Sequence, residues 1–322
     1  MTPSPSLGAG VPARPAVAPW CRLVHDEGRV LIEHAGTLVT LDGAAVTTLL
    51  PRLLPLLDGS RTTDELVVAL GPAVAPAVEN ALMLLAENRL LVDGPSPDAD
   101  GHASSSGAYA AALTRSTTPS AAAAALETAR VSVLGSGACA AELARQLATA
   151  GVGLVEQLCL DAEPPHGSFV TAVPEPTETD ALRRVNERAL GCGDPWLQVL
   201  PYDGRFVVAG PIFLPGASGC RACFATRRAA TSGFEEDFDL VDGIPQRSPC
   251  PGPLVSMAAA LAAVLVVRWL TTSDPTLPGR FYALDCGTIV RLRFDRLLRV
   301  PRCASCGTPV RAVPSPWHEA IA

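Results

Sequence analysis

Two cysteine pairs carry the clearest chemistry in this sequence. Cys220 and Cys223 lie in "SGCRACFATRRAA", and Cys303 and Cys306 lie in "RCASCGTP". A CxxC unit presents two thiols from one tight turn, which suits a redox dithiol or half of a metal site; small apolar filling is the plain alternative. Two such pairs in one chain fit four thiolates around Zn²⁺ at about 2.3 Å, with no histidine needed to complete the set. Four protein ligands leave no open position for water, so such a metal is structural and ties the C-terminal segment to the middle of its domain. A redox CxxC is expected to open a helix after a strand, and two in one chain would need explaining.

A second candidate is the turn Gly135-Ser136-Gly137-Ala138-Cys139-Ala140, which follows "RVSVL" and opens a helical pattern. It approximates a dinucleotide fingerprint with Ala at the third glycine position. Such a turn brings backbone N–H groups to a phosphate, and Asp161, after the next strand, stands where a carboxylate can bond a ribose hydroxyl. The same residues also serve simply as a tight strand-to-helix turn and a loop cap, and both readings stay open. Cys139 sits where a helix N-terminus lowers a thiol pKa. Cysteines 21, 159, 192, 250 and 286 have no histidine nearby and read as inert thiols, and the five histidines form no ligand or triad pattern.

The elements around these residues divide the 322-residue chain. Residues 1–19 read as a disordered tail without a secretory signal's charged start and apolar core. From Arg22 to Leu41, "DEG" and "HAG" turns separate three short strand-like runs. Three helical patterns follow, the second capped by Thr62 or Thr63 with Glu65 in its first turn. Residues 20–94 therefore read as a small winged-helix (α+β) domain. Residues 95–107 have linker composition, and 108–322 contain a βαβ unit with a largely parallel sheet, making the second domain α/β. The apolar run "PLVSMAAALAAVLVVRWL" is shorter than a bilayer span and reads as a buried helix.

Composition excludes several partners. With 25 basic and 32 acidic residues the net charge is -7, which argues against a nucleic-acid surface. No membrane span is expected. Ten cysteines without an export signal place the protein in a reducing compartment, the cytoplasm by default, where paired cysteines serve more often as metal ligands than as disulfides. Every basic residue is arginine; lysine does not occur.

"VSVLGSGACAAELARQLATAGVG", "GDPWLQVLPYDGRFVVAGPIFLPGASGCRACFATRRAA" and "RCASCG" together resemble the ThiF-like superfamily of ubiquitin-activating-enzyme relatives. The closer resemblance is to the cyclodehydratase C (ocin-ThiF-like) proteins that bind precursor leaders in thiazole/oxazole (TOMM) peptide biosynthesis, whose products include bacteriocins and thiopeptides. "LLPLLDGSRTTDELVVALG" and "ALMLLAENRLLVDG" resemble that family's PqqD-like recognition element. The resemblance implies a ThiF-like Rossmann-type domain with structural zinc behind a winged-helix domain. It also implies a precursor leader added as a strand beside Thr37, Leu38, Val39, Thr40 and Leu41, against a helix wall that includes Val78, Leu82 and Leu85; these helix residues also read as domain core. Adenylating members of the family hold phosphates with a Lys and an Arg. A chain without lysine points to lost ATP chemistry, with azoline formation left to a partner YcaO cyclodehydratase. Family analogy further implies a homodimer. An active ThiF/MoeB-like adenylyltransferase is the alternative, and a nicotinamide oxidoreductase, resting on the glycine turn alone, the third.

Overall fold

The computed structural model describes residues 10–307 apart from 27, 35, 95–101, 115–116, 176–177, 179–180, 201, 243 and 245–248. Most of the expected linker, and the first nine residues of the expected tail, lie outside the described residues. The chain divides into two compact units, Met1–Glu127 and Thr128–Ala322.

In the first unit, Pro15–Val17 forms β1, so the expected tail is ordered by residue 15. The alternation from 22 to 41 yields β2 (Arg22–Asp26), β3 (Arg29–His34) and β4 (Thr37–Leu41), an antiparallel meander with β4 at one edge. Ile32 opposes Val39 and Val30 opposes Leu41, and Val30, Ile32 and Leu41 turn their side chains inward. Helices α1 (Ala44–Thr48) and α2 (Leu50–Leu53) follow, then α3 (Thr63–Leu70) and α4 (Ala75–Glu87). Thr62 caps α3 in a capping box: the Glu65 N–H donates to its hydroxyl, and its own N–H donates to the Glu65 carboxylate. Strand β5 (Leu91–Asp93) returns to pair antiparallel with β1. The core joins Val30, Ile32 and Leu41 to Leu53, Leu66, Val78, Leu82 and Leu85. Helices α5 (His102–Leu113) and α6 (Pro119–Thr128) follow, so a helix begins within the span read as linker.

The second unit is built on one seven-stranded sheet. Its elements are β6 (Arg130–Leu134), α7 (Ala138–Thr149), β7 (Leu154–Leu158), β8 (Phe169–Ala172), α8 (Ala181–Cys192), β9 (Trp196–Leu200), β10 (Phe206–Phe213), α9 (Arg221–Ser232), α10 (Phe238–Asp242), α11 (Gly252–Thr272), β11 (Arg280–Asp285) and β12 (Arg291–Arg296). The order is β12-β11-β10-β9-β8-β6-β7. Strands β7, β6, β8 and β9 are parallel, while β10, β11 and β12 run antiparallel to their neighbours, so the sheet is mixed rather than largely parallel. Only short turns join β9 to β10 and β11 to β12, and a short turn permits only an antiparallel partner. At 21 residues α11 exceeds the run read from the sequence and is long and apolar enough to cross a bilayer. In this unit it packs on α7, β9 and β10, burying Ala259, Ala262 and Val266.

Candidate functional sites

The four cysteines expected to act together do meet. Cys220 is the N-cap of α9 and Cys223 lies in its first turn, so the helix start fixes two thiols on one side. The main chain there is held from α8, where the buried Asn186 side chain accepts a hydrogen bond from the Arg221 N–H at 2.9 Å. Cys303 and Cys306 come from the turn after β12, closed by a Gly307 N–H donated to the Cys303 carbonyl at 2.7 Å. The sulfurs of Cys220 and Cys223 are 3.9 Å apart, those of Cys220 and Cys303 3.8 Å, and those of Cys223 and Cys306 3.5 Å. A tetrahedral ion with metal–sulfur bonds of about 2.3 Å requires sulfurs roughly 3.8 Å apart, so the cluster has the size of a four-thiolate site. All four ligand atoms lie within 4.8 Å of one another, and the group can hold a metal ion.

The surroundings suit such a site. Cys220 and Cys223 are buried, Cys303 and Cys306 half-buried. The Val300 N–H donates to the Cys223 sulfur at 3.3 Å, which favours a thiolate there. Burial raises the thiol pKa of Cys220 and of Cys223. Burial acts on Cys303 in the same direction, but the N–H groups of Cys306 and Ser305, with the neighbouring thiols, outweigh it and bring Cys303 to about 7.

At the glycine turn the geometry shows the backbone role of the glycines. Gly135 has φ of 148°, and a Cβ there would stand 2.2 Å from the Val173 carbonyl oxygen, so glycine is needed for the turn to clear the end of β8. Gly137 is the N-cap of α7, and the Glu175 carboxylate lies over it: a Cβ at Gly137 would fall 1.4 Å from Glu175 Oε1. A carboxylate of the chain thus stands at the positive end of the helix, where a phosphate would dock. Asp161 accepts from Arg184 of α8 at 2.5 and 3.1 Å. Cys139 departs from expectation: its thiol is pushed up to about 12, first by burial and then by Cys250, Glu175 and Glu142. The helix N-terminus does not activate it.

In the first unit, Thr37, Leu38 and Thr40 are exposed, Val39 is half-buried and Leu41 is buried. Leu38 is 59% exposed at the β4 edge, and among the described residues β4 pairs only with β3. Val78, Leu82 and Leu85 do not form a wall open to an incoming strand. They are 0–2% exposed within the unit's core, and α4 leaves Met83 and Leu84 in solvent instead. The three buried residues recur at helical spacing, the pattern that marks the core-facing side of a helix.

The sequence did not reveal a groove of about 900 Å³ in the second unit, between the β10–β12 face and helices α9 and α10. Phe206, Phe224 and Phe281 line it alongside Phe234 and Phe238, with Arg228 at its edge. Arg228 pairs with Asp242 at 2.9 Å and stacks over Phe238. These aromatics are scattered over 75 positions of the sequence, without a local signature.

No family model and no curated protein matches this chain. Its fold is shared with solved structures. The heterocyclase TruD matches with a TM-score of 0.67 at 22% identity, over 92% of this chain and 43% of that chain. A heterocyclase in complex with substrate and cofactor matches with a TM-score of 0.66 at 22% identity, over 91% and 39%. MccB of E. coli matches with a TM-score of 0.66 at 15% identity, over 91% of this chain and 97% of that one; a further MccB structure, matching at 0.64 and 15% identity over 91% and 99%, is a complex with N-formylated MccA. The chain spans less than half the length of the two heterocyclases and nearly all of MccB.

Proposed function

We propose that this protein acts in the cytoplasm as a leader-peptide-binding subunit in the biosynthesis of ribosomally made, azole-bearing peptides, delivering a precursor to a YcaO cyclodehydratase that closes the azoline rings. The observation that carries this reading is the shared fold with TruD, a heterocyclase, across nearly the whole of this chain. MccB, with the same fold, has been solved with the peptide MccA, which supports a peptide as the ligand. The β4 edge supplies what a peptide strand needs: unpaired N–H and C=O groups beside the exposed Leu38. Residues 20–94 would be the winged-helix recognition domain and residues from 108 onward the ThiF-like one, with zinc held in a structural role by Cys220, Cys223, Cys303 and Cys306.

An adenylyltransferase is the second reading, favoured by the near-complete overlap with MccB, which has also been solved with AMPCPP and MccA together. Against it, the chain has no lysine, and Glu175 lies over Gly137, where its charge would repel a phosphate. Fluorescence polarisation with the leader of the precursor peptide separates the two. The subunit reading expects saturable binding, weakened about tenfold by Leu38→Asp, and no peptide-dependent pyrophosphate exchange. Absence of leader binding with the YcaO partner present, or exchange that depends on the peptide, refutes it.

A further inference from the structure

We infer that β12 and the segment after it form a docking strip for a separate acidic polypeptide, extended and with carboxylates alternating with large apolar side chains. Residues 280–302 hold six arginines and two aspartates, a net +4 in a chain whose total is -7. Every residue of β12 is exposed, and Arg299 and Arg302 carry the positive charge on past its end. Among the described residues, no carboxylate pairs with Arg280, Arg291, Arg296, Arg299 or Arg302. Asp285 takes the fork of Arg205 at 3.1 and 3.0 Å, which leaves Arg293, 3.8 Å away, as its looser neighbour.

The strand's two faces select the occupant. Strand β12 ends the seven-stranded sheet, so one row of its backbone N–H and C=O groups has no strand beside it. Arg291 and Arg293 stand opposite Asp285 and Ala283 on one face, where Arg293 borders the groove. Leu292 and Phe294 stand opposite Leu284 and Tyr282 on the other face, 53% and 70% exposed, with Ile289 and Val290 of the preceding turn also in solvent. A strand laid along this edge alternates in the same way, so it meets the arginines with every second side chain and the apolar face with those between. The arginines that guard the edge against an uncharged or basic strand are what admits an acidic one. Nucleic acid fits less well: phosphates offer nothing to Leu292 and Phe294, and the negative remainder of the chain repels a long polyanion.

Fluorescence anisotropy of the full chain with a labelled peptide, Glu-Val-Glu-Phe-Glu-Val-Glu, tests this. Saturable binding is expected below about 1 mM, weakening as salt is added. The isomer Glu-Glu-Glu-Glu-Val-Phe-Val has the same charge and composition without the alternation, and should bind about tenfold more weakly or worse. Two variants address the two faces separately. Arg291→Gln with Arg293→Gln removes the charges, and Phe294→Ser removes an exposed ring that supports no core; each should weaken the alternating peptide about tenfold. Circular dichroism confirms that both variants are folded. No saturable binding, equal binding of the two isomers, or full binding by either folded variant overturns the proposal. So does a thymidine oligonucleotide that binds more tightly than the alternating peptide.

Discussion

Removing the metal from the four-cysteine cluster has a calculable effect. Cys220 and Cys303 are 83 residues apart, as are Cys223 and Cys306. A bound ion cross-links these positions and removes the entropy of closing that loop from the unfolded chain, worth about 4.5 kcal/mol on the chain-entropy relation used for disulfides. That is a large fraction of the roughly 5–15 kcal/mol by which domains are stable. For a unit of this size each kcal/mol moves the melting temperature by about 2–4 °C, so metal loss should lower it by about 9–18 °C. The assay is thermal unfolding by circular dichroism with and without a strong chelator, paired with colorimetric zinc release. One zinc per chain is expected. Cys306→Ser should reproduce most of the chelator's effect, whereas Cys159→Ser, at an exposed cysteine outside the cluster, should leave the melting temperature unchanged. Purified protein that contains no metal, and whose melting temperature the chelator does not move, would refute the cross-link argument.

Two further perturbations follow from individual side chains. Gly135→Ala meets the Val173 carbonyl at positive φ and should cost about 2 kcal/mol or more, whereas Gly137→Ala meets only the end of the Glu175 side chain, which can swing away, and should cost under about 1 kcal/mol; urea denaturation of both variants checks the contrast. Asp285 accepts a forked pair of hydrogen bonds from Arg205 at 3.1 and 3.0 Å, and that guanidinium foremost holds its carboxyl below the usual carboxylate range. A depressed folded-state pKa contributes stability above the unfolded value of about 3.9 and loses it as pH falls through the lower folded value. Asp285→Asn should therefore be less stable than wild type at neutral pH, and the gap, followed by denaturant melts across pH, should close below about pH 4.

Features set by short-range chemistry were legible in the sequence. The meander between Arg22 and Leu41, the Thr62–Glu65 capping box and the strand–turn–helix at Gly135 depend on residues a few positions apart. The cysteine cluster was legible across 83 positions only because CxxC repeats a ligand spacing that has few other uses. What escaped depends on tertiary partners. Strand β1 is a three-residue segment whose partners, β5 and the backbone around Asp58, both lie far along the chain. Glu175 sits in a Pro-rich stretch with nothing to announce that its carboxylate covers Gly137. Cys139 shows the limit of a local rule: the helix N-terminus promised an acidic thiol, and burial, which periodicity alone does not quantify, reversed the sign. Val78, Leu82 and Leu85 were equally compatible with a groove wall and a core until the fold placed the strands.

The β1–β5 pair has a practical meaning for handling the first unit. Pro15 lies opposite Asp93, the Arg14 N–H donates to the Asp93 carboxylate at 2.7 Å, and the Gly94 N–H returns a bond to the Arg14 carbonyl at 2.9 Å. The segment's entrance and exit are thus stitched side by side, at a place separate from the β4 edge. A short linker between residues 94 and 14 would close it into a ring, and new termini cut at the exposed Gly36 turn or the Gly71 corner would give a circular permutant. Residues 14–94 thus enter and leave this part of the unit a strand spacing apart.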